Sequence, residues 1–387
     1  MIKLVNNTIS DSEIDSLCDW LKTRPKLTKG ELTETYEKLW SEKIGCKYSV
    51  FVNSGSSALL IAVYSLIAKG LLKKGDPVIV PALSWATDLS PVIQLGLKPL
   101  LCDCNLDDLS LDIEHLEKLV KLYPKKPKAL ILVSVLGLVP EMDKITNFCE
   151  QNDIILIEDA CESLGSRYKG RMLGNFGLLS CFSTYYGHHI STIEGGMVCT
   201  NDREIFNLLK SLRSHGWDRD MDDDYSQSLR EEFSVKDSFE SLYKFYYLGF
   251  NLRSTDLQAY LGINQLQRLD EIIETRNYNY KTYCNVFEND FWNPPRDSNE
   301  KFVSNFCFPV INKNRSKIVD RLKSCDVEVR PLVAGSIGKQ PFWIKEYGPL
   351  NLENADLINE HGFYLPNNHD ITSNQIEFIK QCAKDLW

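Results

Sequence analysis

The chain predicts an α/β fold built on a mostly parallel sheet, with a smaller α+β unit towards its C-terminal end. Three observations carry that prediction. From about residue 48, short β-rich runs alternate with apolar residues at helical spacing. A single long helical pattern follows at 254–287. Polar residues able to do chemistry gather just after the β-rich runs, where open α/β sheets bind their ligands.

The elements follow in order. "YSVFV" (48–52) reads as a strand and runs into "NSGSSALLIAVYSLIAKG", whose apolar residues recur at helical spacing. "DPVIVP" (76–81), "KPLLCD" (98–103), "KALILVSVLG" (128–137), "DIILIED" (153–159), "LLSCFST" (178–184) and "GMVCT" (196–200) read as further strands, with helical segments such as 140–151 between several of them. The segment 218–237, "DRDMDDDYSQSLREEFSVKD", is polar and rich in acid and is expected to be a long surface loop. The pattern at 254–287 is expected to link the two parts, giving a large unit of residues 1–253 and a linking helix with a small unit over 254–387.

With 43% hydrophobic residues in 387, the chain can bury a sizeable core. No apolar run approaches the roughly 20 residues that span a bilayer, and the N-terminus has no basic segment leading into an apolar one, so a cytoplasmic location with no membrane contact is expected. The twelve cysteines are scattered, mostly in apolar runs, and read as reduced thiols. Cys102 and Cys104 lack the further ligands of a zinc site, so no metal is expected. A net charge of −9, with "PKKPK" the one dense basic run, argues against nucleic acid as a partner.

Three strand ends stand out. "NSGSSAL" (53–59) opens a helix with a glycine and two serines, offering backbone N–H groups, hydroxyls and the positive end of the helix dipole; it suits a phosphate or is an ordinary helix cap. It matches neither G-x-G-x-x-G nor a Walker A loop. "LIEDACESLGS" (156–166) ends a strand in Glu158-Asp159, where Asp159 either caps a helix or stays ionised beside a cationic ring nitrogen. "STYYGHHISTIEGGMV" (183–198) carries two adjacent histidines, and no lysine lies between Arg171 and Arg203.

Six segments in order, "NSGSSA", "PALSWATD", "EDACESLG", "FSTYYGHHISTIEGG", "RSHGW" and "GFNLRSTDLQAYLGINQL", resemble the DegT/DnrJ/EryC1/StrS family of pyridoxal phosphate (PLP)-dependent sugar aminotransferases and dehydratases, over about residues 50–270. The resemblance implies the type I, aspartate aminotransferase-like fold, with helices on both faces of the sheet and a smaller C-terminal α+β domain. Family aminotransferases place an imine-forming lysine ahead of T-x-E-G-G; counting back from Glu194-Gly195-Gly196 puts that position at His188. Histidine there resembles the ketosugar 3-dehydratase branch. In an iron–sulfur member of that branch one cysteine follows the strand-end acid and three lie further on. Cys161 fits the first place, but no cysteine lies between Cys199 and Cys284, so no cluster is expected.

Imidazole forms no stable imine, so the cofactor would be held by non-covalent contacts and a proton carried by His188. The resemblance then implies that L-glutamate converts PLP to its amine form, PMP, which condenses with the C4 ketone of a nucleotide-linked 4-keto-6-deoxy sugar. His188 takes a proton from the cofactor's C4′ carbon, the C3 hydroxyl leaves, and ammonia is lost to give a 4-keto-3,6-dideoxy sugar. By position, Gly55, Ser56, Ser57 and Ser183 hold the phosphate, Trp85 stacks on the ring, Asp159 meets the ring nitrogen and Glu162 the ring hydroxyl. Asn251 reaches the phosphate of a neighbouring subunit, which implies a homodimer with shared active sites. His215 is a substrate or acid/base contact or a structural histidine. Arg330 faces glutamate or the sugar nucleotide, or makes a surface ion pair. His189 points away from His188 if the segment is extended. An aminotransferase with a relocated lysine and a regulatory PLP-binding protein stand as alternatives, and the nucleotide, GDP or CDP, stays open.

Overall fold

Seven strands form the central sheet, and alternation along them decides where the helices lie. The computed structural model describes residues 1–387. β1 (Tyr48–Val52), β2 (Pro77–Pro81), β3 (Lys98–Cys102), β4 (Ala129–Val133) and β5 (Ile155–Asp159) are followed by two short strands, β6 (Arg167–Tyr168) and β7 (Arg171–Met172), then by β8 (Leu179–Ser183) and β9 (Gly196–Thr200). Their order in the main sheet is β1-β9-β8-β5-β4-β2-β3. β3, β2, β4, β5 and β8 pair in parallel, and β9 alone runs against its neighbours β8 and β1. The expected mostly parallel sheet is present, and β4, "ALILV", is apolar throughout because both of its faces are covered.

The helices preceding the C-terminal part are α1 (Asp11–Lys22), α2 (Glu31–Ile44), α3 (Gly55–Ala68), α4 (Ala86–Gln94), α5 (Ile113–Leu122), α6 (Met142–Gln151), α7 (Arg203–Arg213), α8 (Asp223–Glu232), α9 (Ser238–Ser241) and α10 (Asp256–Val286). Val50, Val52 and Val198 pack with Ala58 and Ile61 of α3 and Leu209 of α7. Their neighbours Phe51, Met197 and Phe182 turn to the opposite face and pack with Tyr36 and Trp40 of α2 and Leu269 and Ile273 of α10. Helices therefore cover both faces. α10 starts where a capping box allows it: Thr255 Oγ1 accepts the Gln258 N–H at 3.3 Å, and Gln258 Oε1 accepts the Thr255 N–H at 3.0 Å.

Beyond α10, β10 (Lys301–Phe302) joins β6 and β7 in a small sheet, and β11 (Phe308–Ile311), β12 (Arg330–Pro331) and β13 (Gly362–Leu365) form an antiparallel sheet in the order β11-β13-β12. Here α11 (Arg315–Ser324), α12 (Pro341–Tyr347), α13 (Glu353–His361) and α14 (Ser373–Cys382) complete the fold. Ile318 and Leu322 of α11, Phe363 of β13 and Ile376 of α14 belong to one apolar core that continues into the main sheet.

The segment 218–237 departs from expectation, since α8 occupies residues 223–232 of it. Two aspartates sit in its first turn, favoured by the helix dipole, and Ser226 and Leu229, three residues apart, turn inwards. The acids are paired rather than idle. Arg203 bonds to Asp222 and Asp224, Lys210 to Asp222 at 2.8 Å, and Arg230 to Asp218 at 2.6 Å.

Candidate active site

A cavity of about 760 Å³ opens at the carboxyl ends of β1, β4, β5 and β8. Its floor is the start of α3. Ser54 caps that helix, its Oγ accepting the Ser57 N–H at 3.1 Å, which occupies Ser57; Gly55 and Ser56 line the cavity and Ser57 does not. Gly55 is required by closeness. A Cβ there would lie 2.8 Å from Ser183 Cβ and 3.2 Å from Cys161 Sγ, so any side chain would push the helix start away from β8 and the end of β5. Backbone N–H groups at a helix N-terminus beside the Ser183 hydroxyl make a cradle for a phosphate.

Asp159, the last residue of β5, lines the cavity, and its Oδ1 accepts the Cys161 N–H at 2.9 Å. Its neighbour Glu158 points the other way and accepts three backbone N–H groups, from Gly174, Phe176 and Gly177, at 2.6–2.7 Å. Glu162 lines the cavity while its Oε2 accepts the Leu136 N–H at 2.7 Å. Burial pushes the Glu162 carboxyl up to about 7, the Leu136 N–H opposing and the charge of Asp159 adding. Trp85, just before α4, is 60% exposed and lines the cavity, so it is not a core residue.

The double histidine lies on a turn, not an extended strand. His188 N–H donates to Tyr185 O at 2.9 Å, and the loop is closed by the Thr184 and Thr192 hydroxyls, 2.6 Å apart. The two imidazoles nevertheless part. His188 lines the cavity beside Phe306, ring centroids 5.2 Å apart. His189 is fully buried and its Nε2–H donates to Ser304 O at 3.1 Å. Burial, aided by the Arg276 guanidinium, holds the His188 imidazole down to about 4, so near neutral pH it is a free base.

Arg330 lines the cavity from β12 and pairs with Glu328 at 2.6 Å, so the cavity contact and the ion pair coexist. His215 and Asn251 do not line it. They lie together elsewhere: Ser214 bridges Asn251, and the His215 N–H donates to Phe250 O at 2.6 Å. His215 also packs edge-on against Trp217, 5.3 Å between centroids.

Asp88, in the first turn of α4, also lines the cavity, although its spacing in "PALSWATD" does not set it apart. It is 1% exposed. Its Oδ2 accepts the Trp85 N–H at 3.2 Å, and its Oδ1 has no partner in the chain. Burial first, then the charge of Asp159, push its carboxyl well up. Lys3 and Glu328 also enter the lining without sequence signal, because contacts between chain ends leave no local pattern.

A phosphorylated pyridine fits these residues: a helix-start cradle, a strand-end carboxylate, an exposed indole, and an unpartnered Nδ1 on His188. No helix is long and apolar enough to cross a membrane.

The chain is similar to known proteins along nearly its whole length. A GDP-4-keto-6-deoxy-D-mannose 3-dehydratase of Escherichia coli O55:H7 is 33% identical over 98% of this chain and 99% of its own. A crystal structure of a histidine-to-asparagine mutant of GDP-4-keto-6-deoxymannose-3-dehydratase with bound GDP-perosamine superposes with a TM-score of 0.89 at 31% identity, covering 99% of this chain and all of that one. Another, of the same enzyme with a trapped PLP-glutamate geminal diamine, gives 0.87 at 30% identity over 99% and 100%. The model of the DegT/DnrJ/EryC1/StrS aminotransferase family matches residues 8–383, and the chain belongs to that family.

Proposed function

We propose that this protein is a PLP-dependent lyase that removes the C3 hydroxyl of a nucleotide-linked 4-keto-6-deoxy sugar, taking an amino group from L-glutamate to form PMP and releasing a 4-keto-3,6-dideoxy sugar and ammonia. The observation that carries it is His188, a neutral base on the cavity wall at the place of the family's lysine. Likeness to 3-dehydratases along nearly the whole chain supports the same reading.

PLP, when bound, supplies an electron-accepting ring and a carbon that carries the exchangeable amino group. The chain's own residues do the rest. Gly55, Ser56 and Ser183 would hold its phosphate, and Asp159 would keep the proton on its ring nitrogen. Trp85 would lie against the ring, and Glu162 would meet its hydroxyl. His188 would serve as the base that takes the proton when the C3 hydroxyl leaves. Residues 1–253 hold the cofactor, while Phe306, Cys307, Arg330 and Tyr364 of residues 254–387 close the cavity from the other side.

Asn251 is exposed and outside its own cavity, which supports a homodimer whose subunits share sites. The surface next to it is apolar: Phe239, Tyr243, Phe245 and Leu248 are exposed, Leu248 by 85%. Ser57 and His215 stand further from the chemistry in this reading, as a helix-start and a loop-positioning residue. The enzyme works in the cytoplasm without metal or iron–sulfur cluster.

Borohydride treatment of the PLP-loaded protein tests the role of the missing lysine. The expected result is cofactor that remains dialysable and a chain of unchanged mass. A cofactor reduced onto a lysine, Lys3 above all, would restore the aminotransferase reading.

A further inference from the structure

The beginning of the chain is a wall of the same cavity. Residues 2–5 form a strap that bends at Leu4 and runs beside Val327 and Glu328, next to β12. Ile2 bridges Val327, donating its N–H to Asp326 O at 2.7 Å and accepting the Glu328 N–H at 2.9 Å. Asn368 Nδ2 donates to Lys3 O at 2.8 Å, and the Leu4 N–H donates to Glu328 Oε2 at 3.1 Å. The backbone at Lys3 is thus fixed from both sides.

Lys3, Leu4 and Val5 all line the cavity, and Leu4 also packs into the main core. Val5 reaches the histidine turn: a Cβ on Gly187 would stand 3.8 Å from Val5 Cγ2. Lys3, two residues away, lines the same cavity as His188.

The charges lining the cavity are lopsided. Asp159, Glu194 and Glu328 supply negative charge, Asp88 and Glu162 are carboxyls whose pKa burial raises, and Lys3 and Arg330 are the only lysine and arginine. Glu328 links the two cations: its Oε2 holds the strap, and its Oε1 holds Arg330 at 2.6 Å. Lys3 itself makes no ion pair, so its charge is free for a ligand. An anionic substrate entering a cavity lined by carboxylates needs such a pair to offset their repulsion.

We infer that Lys3 and Arg330, spaced by Glu328, form a two-cation subsite for a substrate oxyanion. The inference rests on the proposed sugar-nucleotide chemistry, whose two substrates each carry an anion a few bonds from the reacting carbon: a carboxylate of glutamate or the diphosphate of the sugar nucleotide. Glu328 is a positioning residue, acting through the strap and through Arg330.

Calorimetric titration of PLP-saturated protein with glutarate, a diacid of glutamate's length without its amine, and separately with GDP and CDP reads the subsite without turnover. Lys3→Gln is expected to weaken one class of ligand roughly tenfold, leaving the other class unchanged, while Lys3→Arg keeps the affinity. Glu328→Gln is expected to weaken the same ligand. The arm that responds identifies the oxyanion. Unchanged affinity in both arms of Lys3→Gln, or wild-type protein that binds neither class, overturns the subsite. A wild-type protein that binds one class with loss in Lys3→Gln, yet dehydrates no sugar, keeps the subsite and removes the reaction.

Discussion

At the scale of single residues, burial sets which protonation state the groups lining the cavity favour. His188 is held at about 4 against an ordinary value near 6.5, and His189 is lowered too, both mainly by burial. Above about pH 6.5 both are neutral in folded and unfolded chains alike. Below it the unfolded chain takes up protons that the folded chain refuses, so stability falls as pH drops from about 6.5 towards 4. Glu162, raised to about 7, works in the opposite direction over much of this range, so the comparison must be between variants. His188→Asn is expected to lose less stability than wild type between pH 7 and 5, measured as the shift in thermal midpoint of the cofactor-free protein; equal shifts would contradict the assigned state of His188. The place of His188 was legible in the sequence because a motif numbers it from Glu194-Gly195-Gly196. Asp88 was not, because its role comes from burial against a carboxylate 71 positions further along the chain, at Asp159.

At the scale of elements, strands were read closely because buried parallel strands are short, continuous apolar runs bounded by polar residues. β1, β2, β3, β8 and β9 fall within a residue of the expected runs, whereas the run at 128–137 holds a strand only over 129–133 and then turns at 135–137. α8 was missed because its buried stripe is only a serine and a leucine in a field of acids, a pattern indistinguishable from a solvated loop until Arg203, Lys210 and Arg230 arrive from elsewhere. A different buried ion pair ties α2 to β1 and to the end of α7. Arg213 Nη1 bonds to Glu37 Oε1 and donates to Phe51 O at 2.8 Å, and the same Glu37 oxygen accepts the Phe51 N–H at 2.8 Å. Removing one partner leaves the other charge uncompensated in the core. Glu37→Ala is expected to destabilise the fold by about 3–5 kcal/mol in urea unfolding, with the slope of the transition unchanged. A loss below about 1 kcal/mol would show that the pair is solvated.

At the scale of the whole molecule, residues far apart in sequence converge on one cavity: the strap at residues 3–5, strand ends from 54 to 194, and small-sheet residues from 306 to 364. The order of strands along the chain made the class of fold legible, whereas closure of the cavity by the N-terminal strap was not, since nothing local encodes which surface a terminus will meet. The subunit arrangement has its own test. If Asn251 serves the neighbouring site, dissociating and mixing equal amounts of inactive His188→Asn and inactive Asn251→Ala proteins should restore activity at about a quarter of the sites, because only mixed dimers carry one intact pair. No recovery after subunit exchange would place Asn251 outside the catalytic assembly. In the proposed function His188 turns an aminotransferase site to dehydration, and the fate of nitrogen reads this most directly. Purified protein is incubated with PLP, L-glutamate and GDP-4-keto-6-deoxymannose while 2-oxoglutarate, ammonia and sugar mass are followed. The expected products are 2-oxoglutarate and ammonia in equal amounts, with a sugar one oxygen lighter and free of nitrogen. A stable amino sugar formed without ammonia would contradict it.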